Sequence, residues 1–147
     1  MPEGRKMTRE EIWTAYEKHA AGEHPQHLDE SVESVHPDAV FEDMATGEVR
    51  RGRDAVRKYY DALFRAFPGW KLTRRFVHQT DEHIISEATI DAVHSGPYYD
   101  IPASNRKVRW NICVVFTFKD GLVAGEREYY DRASFLRQLG VKDLATW

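Results

Sequence analysis

A single cysteine, Cys113, is all the thiol chemistry that the 147 residues offer, so an internal disulfide and a thiolate zinc site are both excluded. No apolar run approaches the roughly 18–20 residues of a membrane span. The opening Met1-Pro2-Glu3-Gly4-Arg5-Lys6 has no apolar stretch behind its basic residues and does not read as a signal peptide. Charge of one sign is also missing: 21 Lys and Arg stand against 24 Asp and Glu, a formal charge of −3, which gives no global attraction to nucleic acid or anionic lipid. Glycine-rich phosphate loops, repeats and low-complexity segments are absent. What remains is 41 % hydrophobic and 12 % aromatic, enough for one real core. The expectation is a single cytoplasmic domain over residues 8–147, preceded by a loose tail at 1–7.

Thr8-Arg9-Glu10-Glu11 has the form of a capping box, and Ile12, Trp13, Tyr16 and Ala20 follow at helical spacing, so the pattern predicts a helix over 9–21. Leu28, Val32 and Val35 predict a second, shorter helix ended by His36-Pro37. The clearest helix is Asp54 to Phe67, with Val56, Tyr60, Leu63, Phe64 and Phe67 on one side, stopped by Pro68-Gly69. Four strands are expected after it: Trp70 to Gln79, Ile84 to His94, Val108 to Phe118 and Leu122 to Tyr130. Asp120-Gly121 predicts a tight hairpin between the last two. A final helix from Arg132 to Leu139 has Asp131 as N-cap and Gly140 as its stop. This order predicts an α+β fold: a cone-shaped, strongly curved antiparallel sheet with about three N-terminal helices and a short C-terminal one. The interior of such a cone is the place to look for function.

The chain resembles the SnoaL-like polyketide cyclases within the nuclear-transport-factor-2-like, ketosteroid-isomerase-like superfamily. The resemblance covers nearly all of residues 8–140 and rests on several short stretches in order. They are Val40-Phe41-Glu42-Asp43 leading to Gly52-Arg53-Asp54-Ala55-Val56, then Phe67-Pro68, Val93-His94-Ser95-Gly96-Pro97, Lys119-Asp120-Gly121 and Glu126-Arg127-Glu128-Tyr129-Tyr130-Asp131. It implies acid/base chemistry without a cofactor: proton removal next to a carbonyl, then aldol cyclisation or isomerisation. A non-catalytic small-ligand-binding protein of the same fold, or a ketosteroid-isomerase-like isomerase or dehydratase, are the alternatives. A homodimer is the family's usual state.

On strand alternation Glu126, Glu128 and Tyr130 share one face of the last strand. Glu128 matches the family's cavity-facing acid, a Glu here in place of the more usual Asp, and burial in an aromatic cone raises such a carboxyl. Asp43 and Tyr16 match the base and the oxyanion-hole tyrosine of ketosteroid isomerase, while Val114 falls where that enzyme has its protonated aspartic acid. His94 occupies the histidine of the family's Gly-Thr-His-x-Gly pattern, here Ala92-Val93-His94-Ser95-Gly96. Glu128, Asp43 and His94 are therefore the candidate catalytic residues. Tyr16, Tyr60, Phe64, Trp110, Ile112, Val114 and Tyr130 are the candidate lining of a pocket for a small apolar or polycyclic ligand. Each has a plainer reading as core, a turn Asp or a strand-end histidine.

The histidines at 19, 24, 27 and 36 show no ligand spacing, so no metal is expected. The basic run Arg50-Arg51-Gly52-Arg53 reads as a solvated face. Cys113 has no neighbouring base and no expected reactivity. Residues 97–105, with Tyr98, Tyr99 and Ile101, form either a lid or a dimer contact. Arg109, Asn111, Cys113, Val115 and Thr117 are expected on the outer sheet face.

Overall fold

The Thr8 hydroxyl accepts from the Glu11 amide at 3.1 Å, and the Glu11 carboxylate accepts from the Thr8 amide at 2.8 Å. That closed box starts α1, Arg9–Gly22. The computed structural model describes residues 4–146. Of the expected tail, residues 1–3 lie outside the described residues, while Arg5 pairs with Glu11 and Met7 is buried in the core cluster.

Three further helices, α2 (Leu28–Glu33), α3 (Gly52–Ala66) and α4 (Arg132–Gln138), accompany six strands. These are β1 (Val35–Asp43), β2 (Val49–Arg51), β3 (Lys71–Gln79), β4 (His83–Val93), β5 (Lys107–Lys119) and β6 (Leu122–Tyr130). The sheet order is β2-β1-β6-β5-β4-β3. It is curved and unclosed, in the expected α+β arrangement. Register shifts at Val35/Val40, Arg74/Phe76 and Thr117/Phe118 add the local bends from which such curvature is built.

Two details differ from the sequence reading. The sheet is antiparallel except where β1 runs parallel to β6. The second helix ends at Glu33, and Val35-His36-Pro37 opens β1 instead of closing a helix. Proline is accommodated because Pro37 falls in the interval between Val35 and Val40 where the ladder to β6 is interrupted, so its missing N–H is not needed there.

The β5–β6 hairpin turns at Asp120 and Gly121, with φ of 54° and 76°, the left-handed pair that a two-residue turn between twisted strands requires. At the other end, the amides of Ser95 and Gly96 both donate to the Ala66 carbonyl, tying the end of α3 to the segment after β4. Position 96 must be glycine for this contact, since a Cβ there would run into the Arg65 carbonyl oxygen. Phe67, wholly buried, then packs its ring on those of Trp110, Phe135, Tyr98 and His94. No helix among the described residues is long and apolar enough to cross a membrane.

Candidate active site

Alternation along β6 turns Glu126 and Glu128 inward, each 4 % exposed, while Tyr129 stands outside. They face a cavity between the sheet and α3. Its apolar wall comes from Trp110, Ile112, Val114 and Phe116 on β5, with Leu63, Leu72, Ile90, Trp70 and Phe135 around it. Its polar groups are Glu23, Asp43, Glu126, Glu128, Tyr59, Tyr60, Tyr98 and Tyr130. The centres of water-sized molecules have about 60 Å³ in which to move. That accommodates a few waters, and a polycyclic ligand enters only if the walls move apart.

The Tyr59 hydroxyl holds Glu128. Tyr59 donates to its Oε1 and Oε2 at 3.0 and 3.1 Å. Burial, and next the negative charge of Glu126, hold the Glu128 carboxyl well above the usual carboxylate range; the Arg50 charge and the Tyr59 hydroxyl pull the other way. Tyr59 itself is raised well above the ordinary phenol by burial and by Glu128, so it remains a donor.

Behind Glu128 lies a second buried group. His19 Nε2 stands 2.8 Å from Glu126 Oε1 and 3.1 Å from Glu23 Oε1, with the Tyr60 hydroxyl 3.3 Å away. Its Nδ1 is 2.7 Å from the Ser34 hydroxyl, which donates its own proton to the Ser31 carbonyl at 2.6 Å. Ser34 must therefore accept from Nδ1–H, and the bonds at Nε2 need a second proton. Burial of the ring opposes the charged form, yet the bonds to Glu126 and Glu23 prevail and hold His19 at about 10. His19, Glu23 and Glu126 also bring their donor atoms within 4.8 Å of one another, which makes them the described residues that could hold a metal ion. The separations of 2.8 and 3.1 Å are those of hydrogen bonds, which the Nε2 proton supplies.

Asp43 lines the cavity but is heavily engaged. Its Oδ1 accepts from the amides of Ala45 and Thr46 at 2.9 and 3.0 Å, and its Oδ2 accepts from the Tyr130 hydroxyl at 2.8 Å. Arg132 in turn donates to Tyr130 at 3.1 Å. Asp43 is thus a turn-closing residue whose second oxygen faces the site.

Among the expected site residues, Glu128, Asp43, Tyr60, Trp110, Ile112, Val114 and Tyr130 come together around the cavity. Three do not line it. His94 lies beyond the end of β4, fully buried, its ring tilted against that of Phe67, with Nδ1 accepting from the Ser104 amide and 2.9 Å from the Ser104 hydroxyl. Burial lowers its pKa. Tyr16 is turned to Ser86, to which its hydroxyl donates at 3.2 Å, with Phe116 against its ring. Phe64 stacks behind Tyr60 and supports the wall instead of forming it.

Tyr59, Tyr98, Glu23, His19 and Arg50 were outside the expected set. Two of them carry a readable signal. Val56, Tyr59, Tyr60 and Leu63 follow the i, i+3, i+4, i+7 pattern, as do Ile12, Ala15, Tyr16 and His19. Arg50 overturns the solvated-face reading of its run: the short β2 turns it inward, where it is 6 % exposed, between outward Val49 and Arg51.

Residues 10–139 match the family model of the SnoaL-like polyketide cyclases. The chain belongs to that family. Three solved structures place this SnoaL-like chain in its fold. A protein from Jannaschia sp. CCS1 assigned as a SnoaL-like polyketide cyclase superposes with a TM-score of 0.80 at 16 % identity, over 97 % of this chain and 100 % of that one. TsrD from Streptomyces laurentii gives 0.72 at 26 % identity, over 91 % and 98 %. TerC, co-crystallised with polyporic acid, gives 0.68 at 14 % identity, over 90 % and 97 %. Among curated proteins none matches this SnoaL-like sequence.

Proposed function

We propose that this SnoaL-like protein is an acid/base enzyme that removes a proton next to a carbonyl in a small, largely apolar substrate, with Glu128 as the proton carrier. The observation that carries the reading is the Glu128 carboxyl: buried in a mostly apolar cavity, raised by that burial, and accepting from the Tyr59 phenol. A raised carboxyl is basic enough to take a proton from carbon and acidic enough to return it near neutrality. Asp43 has three donors on its two oxygens and so is less free to meet a substrate proton.

In the forward step the Glu128 carboxylate takes the α-proton and becomes neutral. The Tyr59 hydroxyl, no longer facing an anion, donates to the new enolate oxygen. The enolate carbon attacks a second carbonyl in the same molecule, and the alkoxide so formed recovers the proton from Glu128. Atoms balance without water or an external reagent, and the Glu126–His19 pair keeps a fixed charge behind the proton carrier. The narrow cavity supports intramolecular closure, because it favours folded conformers of a flexible chain.

A second reading, a binder that does no chemistry, is favoured by one observation: Tyr16 and His94, the expected oxyanion donors, point elsewhere. Wild-type and Glu128→Gln proteins, incubated with a panel of ketoesters in D₂O, separate the two. Loss of α-proton exchange and of cyclised product by about 100-fold or more in the variant supports the enzyme. Equal rates in both proteins remove Glu128 from the mechanism.

A further inference from the structure

Arg50 sits beside the proton carrier with most of its donors unused. Only Nη2 has a carboxylate within hydrogen-bond reach, Glu48 Oε2 at 3.1 Å. Nε and Nη1 are buried and have no hydrogen-bond partner among the described residues. The two cavity carboxyls stop short, with Asp43 Oδ2 at 3.9 Å from Nη2 and Glu128 Oε2 at 3.8 Å from Nη1. The flat face of the guanidinium is covered by Tyr59, whose ring centroid is 3.8 Å from Cζ.

These contacts fix the side chain without using its hydrogens. Stacking holds the plane of the guanidinium but makes no bond to its in-plane N–H groups. Buried charged donors left unmade are costly, and a ligand that meets them recovers that cost on binding. The neighbouring carboxylates do little to meet it: Asp43 is already bonded by Tyr130 and two amides, and the Glu48 side chain is 55 % exposed. A second guanidinium touches a cavity residue, since Arg132 donates to Tyr130, and its Nε is buried with no hydrogen-bond partner among the described residues.

Position decides what the anion is attached to. An oxygen bonded to Nη1 at the usual distance lies alongside Glu128, because Nη1 and Glu128 Oε2 are 3.8 Å apart. A carboxylate held there is brought to the Glu128 end of the site.

We infer that Arg50 is a receptor for a carboxylate, and that the substrate is a keto acid with an apolar body. The keto group rests on the proposed role of Glu128, whereas anion recognition by Arg50 does not. The test is binding of benzoate and its neutral isostere benzamide to the ¹⁵N-labelled protein, followed at the Arg50 Nε–H signal. Saturable benzoate binding that shifts this signal, with benzamide weaker by about tenfold or more and Arg50→Gln weakening benzoate by a similar factor, supports the receptor. Arg50→Lys keeps the charge and loses the planar fork, so it retains only part of the affinity. No saturable benzoate binding, equal binding of the two probes, or unchanged benzoate affinity in Arg50→Gln overturns the proposal. The comparison of probes on the wild-type protein needs no variant to fold. Anion binding that survives in a protein whose Glu128→Gln variant still turns over would sink the catalytic reading alone; loss of turnover without anion selectivity would sink this one alone.

Discussion

His19 and Glu126, 107 residues apart in sequence, meet at 2.8 Å with almost no exposure of either side chain. The pair joins α1 to β6 across the domain, and it puts a protonated imidazole behind the carboxyl that neighbours the proton carrier. Replacing His19 by Gln is expected to destabilise the fold by about 3–5 kcal/mol, because buried carboxylates lose their positive partner. Denaturant unfolding of the two proteins at neutral pH measures this; a loss below 1 kcal/mol would mean that the pair is not charged.

The same pair gives stability a pH dependence with a definite sign. His19 is raised in the folded state from 6.5 to about 10, so the stabilisation it provides is complete below about 6.5 and is lost as pH rises through about 10. The melting temperature of the wild type should fall over that window, and that of His19→Gln should fall less. Parallel curves would show that His19 does not titrate there.

Glu128 is pushed up by its neighbour Glu126 and pulled down by the Tyr59 hydroxyl, so two variants should move it in opposite directions. Glu126→Gln lowers the Glu128 titration, and Tyr59→Phe raises it. Carboxyl-carbon NMR in labelled protein reads both shifts, and movement of both in one direction contradicts the described arrangement.

Packing at the closed end of the cone is equally open to test. Phe67→Ala removes a wholly buried ring from among Trp110, Phe135 and Tyr98, and should cost about 3–5 kcal/mol. Gly96→Ala, which adds one methyl against the Arg65 carbonyl, should cost about 1–3 kcal/mol despite its small size. Both are read by chemical denaturation, and a neutral Gly96→Ala would show that the end of α3 can step back.

Local signals made most of the architecture legible. The Thr8–Glu11 box, the Asp131 cap, whose carboxylate accepts from the Ser134 amide, and the Asp120-Gly121 turn each need only neighbours in sequence. Period-two alternation on β6 sufficed to send Glu126 and Glu128 inward. The contacts that define the site are of another kind. Tyr59 reaches Glu128 across 69 residues, and Tyr130 reaches Asp43 across 87. Nothing local distinguishes the hydroxyl of Tyr16, which is turned to Ser86, from one that faces the cavity. Arg50 was hidden for the same reason, since a three-residue strand is too short for alternation to show which of its members turns inward.

The proposed chemistry depends on one carboxyl that keeps its proton to unusually high pH because water is excluded from it. Titration of the Glu128 side-chain carboxyl by ¹³C NMR in the ligand-free wild-type protein tests this directly. A midpoint well above the ordinary 4.5, with Glu128 the carboxyl that moves, is the predicted result; a midpoint near 4.5 would contradict it.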